Sequence, residues 1–168
     1  MDKEFPDNKV IWSAHCHNDL GLATINSMNA VLYGGARQVE GCINGVGERA
    51  GNLSLEQAII IIDKFGANNE KGGIFKTGIN LSKIQEVSDF IAKNMLPRQP
   101  HIPVVGDNAA RHSSGGHTNA ILKNPLVYHA FDPHKIGKEI TFVFGPLSGS
   151  NHAKTIIEKQ GYVCEEVE

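Results

Sequence analysis

The sequence predicts an α/β fold in which two consecutive strand–helix units build a parallel sheet and a mainly helical portion follows. Three observations predict it. β-branched segments alternate with amphipathic ones through residue 65, each strand candidate runs into a polar loop, and hydrophobic periodicity stops at the glycine- and asparagine-rich stretch 66–73. Segment 9–14 is β-branched and aromatic, which favours a strand, and a polar stretch over 15–19 follows it. Ile25, Met28 and Leu32 recur at helical spacing in segment 23–33, with Gly34 and Gly35 as the stop. Residues 37–43 are a second short strand and 44–52 a glycine-rich loop. Ser54 and Gln57 form a capping box that opens a second helix, with Leu55, Ala58, Ile59 and Ile62 as its apolar stripe.

The boundary is placed at the linker, giving units 1–66 and 67–168. Beyond it, Ser82 and Gln85 form another capping box, and Ile84, Val87 and Ile91 mark a helix ending before Pro97. Residues 97–103 connect, 117–123 form a short helix, 132–137 a turn and 139–144 a strand. A last helix runs over 150–160 and stops at Gly161.

Composition narrows the function. The 168 residues are 40% hydrophobic and 20% charged, as in an ordinary globular chain. Sixteen Lys and Arg against eighteen Asp and Glu leave a charge of −2 without like-charge runs, which argues against nucleic-acid or membrane-surface partners. Small-molecule chemistry is favoured. Cys16, Cys42 and Cys164 form no CxxC pair and read as free thiols in a reducing compartment. The longest apolar run, 58–62, belongs to a buried helix or strand, and the first ten residues are too polar for a secretory leader. A cytoplasmic location is expected.

His15-Cys16-His17-Asn18-Asp19 carries the clearest chemistry. Side chains two apart on an extended segment point the same way, so both imidazoles can reach one divalent ion. The same His-x-His pattern also occurs in plain polar loops. Asn18 and Asp19 either orient the imidazoles or cap the following helix. One strand–helix unit later, the loop 45–52 offers Glu48 and Arg49 as substrate or cofactor contacts, unless the two pair with each other. Asn52 is either an oxygen ligand or a residue leading the next helix. The glycine spacing is neither a P-loop nor a dinucleotide fingerprint.

W-S-A-H-C-H-N-D-L-G-L-A over 12–23, together with V-E-G-C-I-N-G-V-G-E-R-A-G-N over 39–52, resembles the 2-isopropylmalate synthase family, whose wider group includes homocitrate and citramalate synthases. The likeness continues through V-V-G-D-N-A at 104–109, H-S-S-G-G-H at 112–117 and D-P-H-K-I-G at 132–137, and so covers nearly the whole chain. It implies metal-dependent condensation of acetyl-CoA with a 2-oxo acid, 2-oxoisovalerate in leucine biosynthesis, by a TIM-barrel enzyme. Residues 1–66 would be the last two βα units of that barrel, and 67–168 the linker and a mainly helical subdomain. By the same resemblance, His15, His17 and Asn52 are metal ligands for Zn, Mn or Mg, while His117 and Tyr128 would contact acetyl-CoA or assist proton movement. The intact enzyme would be a homodimer.

The chain departs from the family's pattern in two segments. S-S-G-I-H-Q-D becomes Ser113-Ser114-Gly115-Gly116-His117-Thr118-Asn119, and G-K-H-S-G-R-H-A is replaced by G-P-L-S-G-S-N-H-A over 145–153. A barrel of this type takes about 250 residues. The resemblance therefore implies that a first-strand aspartate, an oxo-acid-binding arginine and a basic glutamate lie outside these 168 residues, and that the chain alone is inactive; the alternatives are a citramalate or homocitrate synthase and a truncated, non-catalytic relative that acts as a binding module.

Overall fold

A computed structural model describes residues 9–66, 75–146 and 148–164. The predicted linker lies almost wholly outside the described residues. The first unit consists of β1 (Ser13–His15), α1 (Ala23–Leu32) and β2 (Gln38–Glu40), with β1 and β2 parallel in the register Ser13–Gln38, Ala14–Val39, His15–Glu40. A tight turn at Ile43–Gly45 leads through the glycine-rich loop into α2 (Leu55–Phe65). The expected α/β character with parallel strands is present, among the described residues as two separate two-stranded sheets.

The strands are shorter than the sequence suggested. β1 starts only at Ser13, although the Trp12 carbonyl already accepts from the amides of Arg37 and Gln38. Val10 and Ile11 are exposed, because β1 pairs with β2 alone among the described residues. The inner face of α1 also differs. Ala23, Ser27, Met28 and Val31 are buried while Ile25 is 52% exposed. Small side chains at i and i+4 let the helix approach the sheet closely, and Ile25 lies off that stripe.

Helix α2 explains the apolar run 58–62. Ala58 joins a core with Ala23, Met28, Val31, Ala36 and Leu53, whereas Ile59 and Ile60 join a second core with Ile84, Val105 and Ile136. A helix packed on two sides is apolar over most of its surface. Its expected capping box does not form: Ser54 makes no side-chain cap, and the Gln57 amide oxygen instead accepts from the Thr24 hydroxyl at 2.8 Å, tying α2 to α1.

A 3-10 turn at Leu81–Lys83 precedes α3 (Ile84–Asn94). The cap there is Asn80, whose Oδ1 accepts from the amide and hydroxyl of Ser82, rather than the Ser82–Gln85 box. Val87, expected to face inward, is exposed, and Ser88 is buried in its place. The remaining elements are β3 (Arg111–His112), α4 (Gly115–Lys123), a 3-10 turn at Pro133–Ile136, β4 (Thr141–Phe142) and α5 (Ser150–Lys159). The later portion, expected to be mainly helical, thus also holds a short parallel pair, β3 with β4. No described helix is long and apolar enough to cross a membrane.

The polar requirement that selected Ser88 is visible in its contacts. Asn44 adopts φ +59°, its amide N–H donates to both oxygens of the buried Glu56, and its Nδ2 donates to the Ser88 carbonyl. Arg98 donates to Ser88 Oγ at 2.7 Å and reaches Asp89 and Asp107 at 2.6 Å each. Burial pushes the Glu56 carboxyl up, while the bonds from Asn44 and the Arg98 charge pull it down. The Arg98 guanidinium holds Asp107 below the usual carboxylate range. The stabilisation from Asp107 is therefore complete above that range and is lost as pH falls through the lowered value.

Asn44 separates two contributions. Asn44→Gly keeps the left-handed backbone but removes the side-chain bonds, whereas Asn44→Ala removes both, so stability should fall in the order wild type, Gly, Ala. The last step should cost about 1–2 kcal/mol in urea denaturation.

Candidate functional site

The glycine-rich loop folds back on the end of β1. Asn18 N–H donates to the Gly51 carbonyl at 2.9 Å and Leu53 N–H to the Cys16 carbonyl at 3.2 Å, forming an antiparallel bridge that sets His17 beside Asn52. The glycines make room for that fold. A Cβ on Gly47 would stand 2.5 Å from Asn52 Nδ2, and one on Gly51, where φ is +94°, would strike the Gly45 carbonyl. The loop is thus shaped around Asn52.

The structure brings His15, His17 and Asn52 to one place. The Nε2 atoms of His15 and His17 are 3.3 Å apart, with the rings edge to face. His17 Nδ1 and Asn52 Oδ1 are buried without a hydrogen-bond partner, although Asn52 Nδ2 donates to Cys42 Sγ and the Val46 carbonyl. The orphaned acceptor Asn52 Oδ1 is costly unless a ligand satisfies it, whereas His17 Nδ1 lies on the side of its ring away from Nε2 and carries the proton when Nε2 ligates. Bonds of about 2.0–2.1 Å to one tetrahedral ion separate two nitrogens by roughly 3.3 Å, so the two Nε2 atoms fit a divalent cation. Among the described residues no group of three His, Cys, Asp or Glu side chains is set to hold a metal, so the set is two imidazoles and an amide.

Sequence reading missed Glu40. Its carboxylate lies 3.6 Å from His15 Nδ1 and accepts from the Ser13 hydroxyl at 2.7 Å. A carboxylate behind a ligating imidazole orients the ring and raises its basicity. The clue was the strand register, which sets Glu40 opposite His15.

Asn18 and Asp19 divide the two roles left open for them differently. Asn18 Oδ1 accepts from the Ala23 N–H at the start of α1, while Asp19 forms a two-point pair with Arg49, Nε to Oδ1 at 2.9 Å and Nη2 to Oδ2 at 2.7 Å. The Asp19 carboxyl is held down by this Arg49 contact, and Arg49 is raised by Asp19. Arg49 therefore pairs with Asp19, and Glu48 adds only its charge nearby. Arg49, Asn52 and Asn44 line a cavity of about 360 Å³ that the connector also lines, through Pro97 and Gln99.

The second pair of expected residues also meets. The His117 and Tyr128 rings stack with centroids 3.9 Å apart and planes at 12°. Tyr128 is an exposed residue at φ +68°, a strained backbone for an aromatic side chain. Behind His117 stand two histidines that the sequence did not single out. His112 Nδ1 is 3.3 Å from His117 Nδ1, and His112 Nε2 is 3.3 Å from His129 Nε2. His112 comes from β3, a two-residue strand without readable periodicity. Tyr128 and His129 line a second cavity of about 630 Å³, which shares Gln57, Ile102 and Pro103 with the first. No described hydrogen bond or ring contact joins the His15 cluster to the His117 cluster.

Burial lowers the His112 pKa, and the charges of His129 and His117 lower it further; burial also lowers His129. An unfolded histidine takes its proton near about pH 6.5, while folded His112 takes it only at lower pH. Stability from this group is thus present above the ordinary value and lost as pH falls through the folded one. In an imidazole proton NMR titration His112 should titrate below an ordinary histidine, and His129→Asn should move it upward.

Two family descriptions match the chain: HMGL-like over residues 1–91 and homocitrate synthase post-HMGL domain-like over residues 104–168. The "2-isopropylmalate synthase" of Saccharolobus solfataricus is 39% identical over 158 residues, covering 94% of this chain and 39% of that protein. That of Chromobacterium violaceum is 40% identical, covering 96% and 31%. The "2-isopropylmalate synthase 2, chloroplastic" of Arabidopsis thaliana is 41% identical, covering 94% and 25%. The chain spans between 25% and 39% of the length of these curated relatives. With its loop built around Asn52 and its first 91 residues matched throughout, the chain belongs to the HMGL-like family.

Proposed function

We propose that this chain is part of a 2-isopropylmalate synthase-type acyltransferase that condenses acetyl-CoA with 2-oxoisovalerate in leucine biosynthesis. Residues 1–66 contribute closing βα units of a TIM barrel, and 67–168 the linker and helical subdomain. The observation that carries this reading is the pair of converging Nε2 atoms of His15 and His17 with the orphaned buried Oδ1 of Asn52, in a chain about 40% identical to proteins bearing that name. The paired β1 and β2 support the barrel reading, because an isolated two-stranded sheet is marginal by itself.

His15, His17 and Asn52 hold the divalent ion in this reading, with Glu40 steadying His15. The chemistry such an ion supplies when bound is Lewis-acid polarisation of the oxo acid's keto carbonyl. Arg49, oriented by Asp19 at the 360 Å³ cavity, offers a cation to a substrate carboxylate or phosphate, with Glu48 beside it. His117, its ring held flat against Tyr128, faces the acyl donor and takes part in moving the proton lost from the acetyl methyl group. Carbon–carbon bond formation and thioester hydrolysis then release CoA. The intact enzyme works as a homodimer on small molecules in this reading.

The match of residues 104–168 to a homocitrate synthase-type domain favours one second reading, that the oxo acid differs. Thiol release from acetyl-CoA with 2-oxoisovalerate, pyruvate or 2-oxoglutarate separates the readings. The isopropylmalate assignment requires 2-oxoisovalerate to give the highest kcat/KM in the complete protein, and the 168 residues alone should release no CoA. In the complete protein, His15→Ala or His17→Ala should abolish bound divalent metal, measured by elemental mass spectrometry. Turnover should fall by about a hundredfold or more with the circular dichroism spectrum unchanged. Retained metal and full turnover in both variants would remove the assignment.

A further inference from the structure

We propose that His112 and His129 extend His117 as a chain of imidazoles that moves one proton between His117 Nε2 and the His129 side of the 630 Å³ cavity. The inference rests on the acyl-donor role proposed for His117. Both ring nitrogens of His112 are engaged, each by another imidazole at 3.3 Å, and in opposite directions. That arrangement offers no common centre for an ion. It does satisfy the needs of three neutral imidazoles, because each carries one N–H donor and one bare acceptor nitrogen.

A consistent proton order exists. His117 Nδ1–H donates to His112 Nδ1, and His112 Nε2–H donates to His129 Nε2, which leaves His117 Nε2 as the open acceptor and His129 Nδ1–H as the open donor. A proton arriving at His117 Nε2 is matched by one passing from His117 Nδ1 to His112 Nδ1. Another then passes from His112 Nε2 to His129 Nε2, and one leaves His129 Nδ1 into the cavity. All three rings end neutral with their tautomers exchanged, and the reverse transfer or ring rotation resets them. The rings are held for this: His117 stacks on Tyr128, His112 meets His129 edge to face at 4.9 Å, and Phe142 packs on His112. Burial keeps His112 and His129 neutral to lower pH than usual, as such a chain needs. The titratable groups facing it are His117 and His129 at His112, and Asp132 and His134 at His129.

His112 and His129 are positioning residues here, since they act through His117. The test uses the complete protein and the CoA-release assay. His112→Asn and His129→Gln keep polar atoms near the same places but cannot pass a proton from one face to the other. Each should lower kcat by about 10–100-fold, leave KM for acetyl-CoA within about threefold, and change the kcat pH profile. In His112→Ala and His129→Ala, added imidazole should restore much of the lost rate. Wild-type kcat and pH profile in both polar variants, with His117→Ala inactive, would overturn the relay and leave the His117 role standing. Loss of rate that imidazole does not restore would assign the two histidines to structure alone and equally overturn it. An active His117→Ala would instead remove the acyl-donor reading and the relay with it.

Discussion

The buried contact between the glycine-rich loop and α3 is the constraint on which the rest of the structure depends. Glu56 at the start of α2 is fully buried and accepts the Asn44 amide, and Asn44 in turn bonds to Ser88 on α3. Arg98 closes the network from the connector onto Ser88, Asp89 and Asp107. Once such groups leave water, each must find its partner or cost roughly 1–3 kcal/mol. That requirement fixes the left-handed turn at Asn44, and the loop from that turn to Asn52 follows from it. The same network brings the connector over the loop and so shapes the 360 Å³ cavity.

Helix α2 transmits this constraint to both halves. Ala58 packs toward the core beneath β1 and β2, and Ile59 and Ile60 toward the core of α3 and the segments after it. The two histidine clusters therefore sit on parts of the chain that share one helix rather than one loop. Gln57, on that helix, lines both cavities and bonds to Thr24 of α1. A ligand spanning the two cavities would meet Gln57, Ile102 and Pro103 on the way.

The clusters differ in how they use imidazole. At His15 and His17 both Nε2 atoms converge and the buried Asn52 Oδ1 remains open, an arrangement suited to a cation. At His112 the nitrogens diverge to two further rings, an arrangement suited to passing a proton. The difference follows from backbone geometry. His15 and His17 come from one extended stretch ending β1, whereas His112, His117 and His129 come from a short strand, a helix and a loop.

Local pattern determined much of this protein by itself: the parallel strand–helix units, the helical nature of segments 23–33, 117–123 and 150–160, and the His-x-His pair, whose two-residue spacing on an extended chain is enough to align both rings. It misjudged which side chains face inward on α1 and α3, and both expected capping boxes, because those depend on polar partners far along the chain. Ile25 yields to the small stripe of α1, Val87 yields to Ser88, and Gln57 is taken by Thr24. Only the tertiary structure decided that Glu40 stands behind His15, that Asp19 rather than Glu48 holds Arg49, and that His112 and His129 join His117. Each of these contacts joins different elements of the fold, and no period of 2 or 3.6 residues encodes which elements will meet.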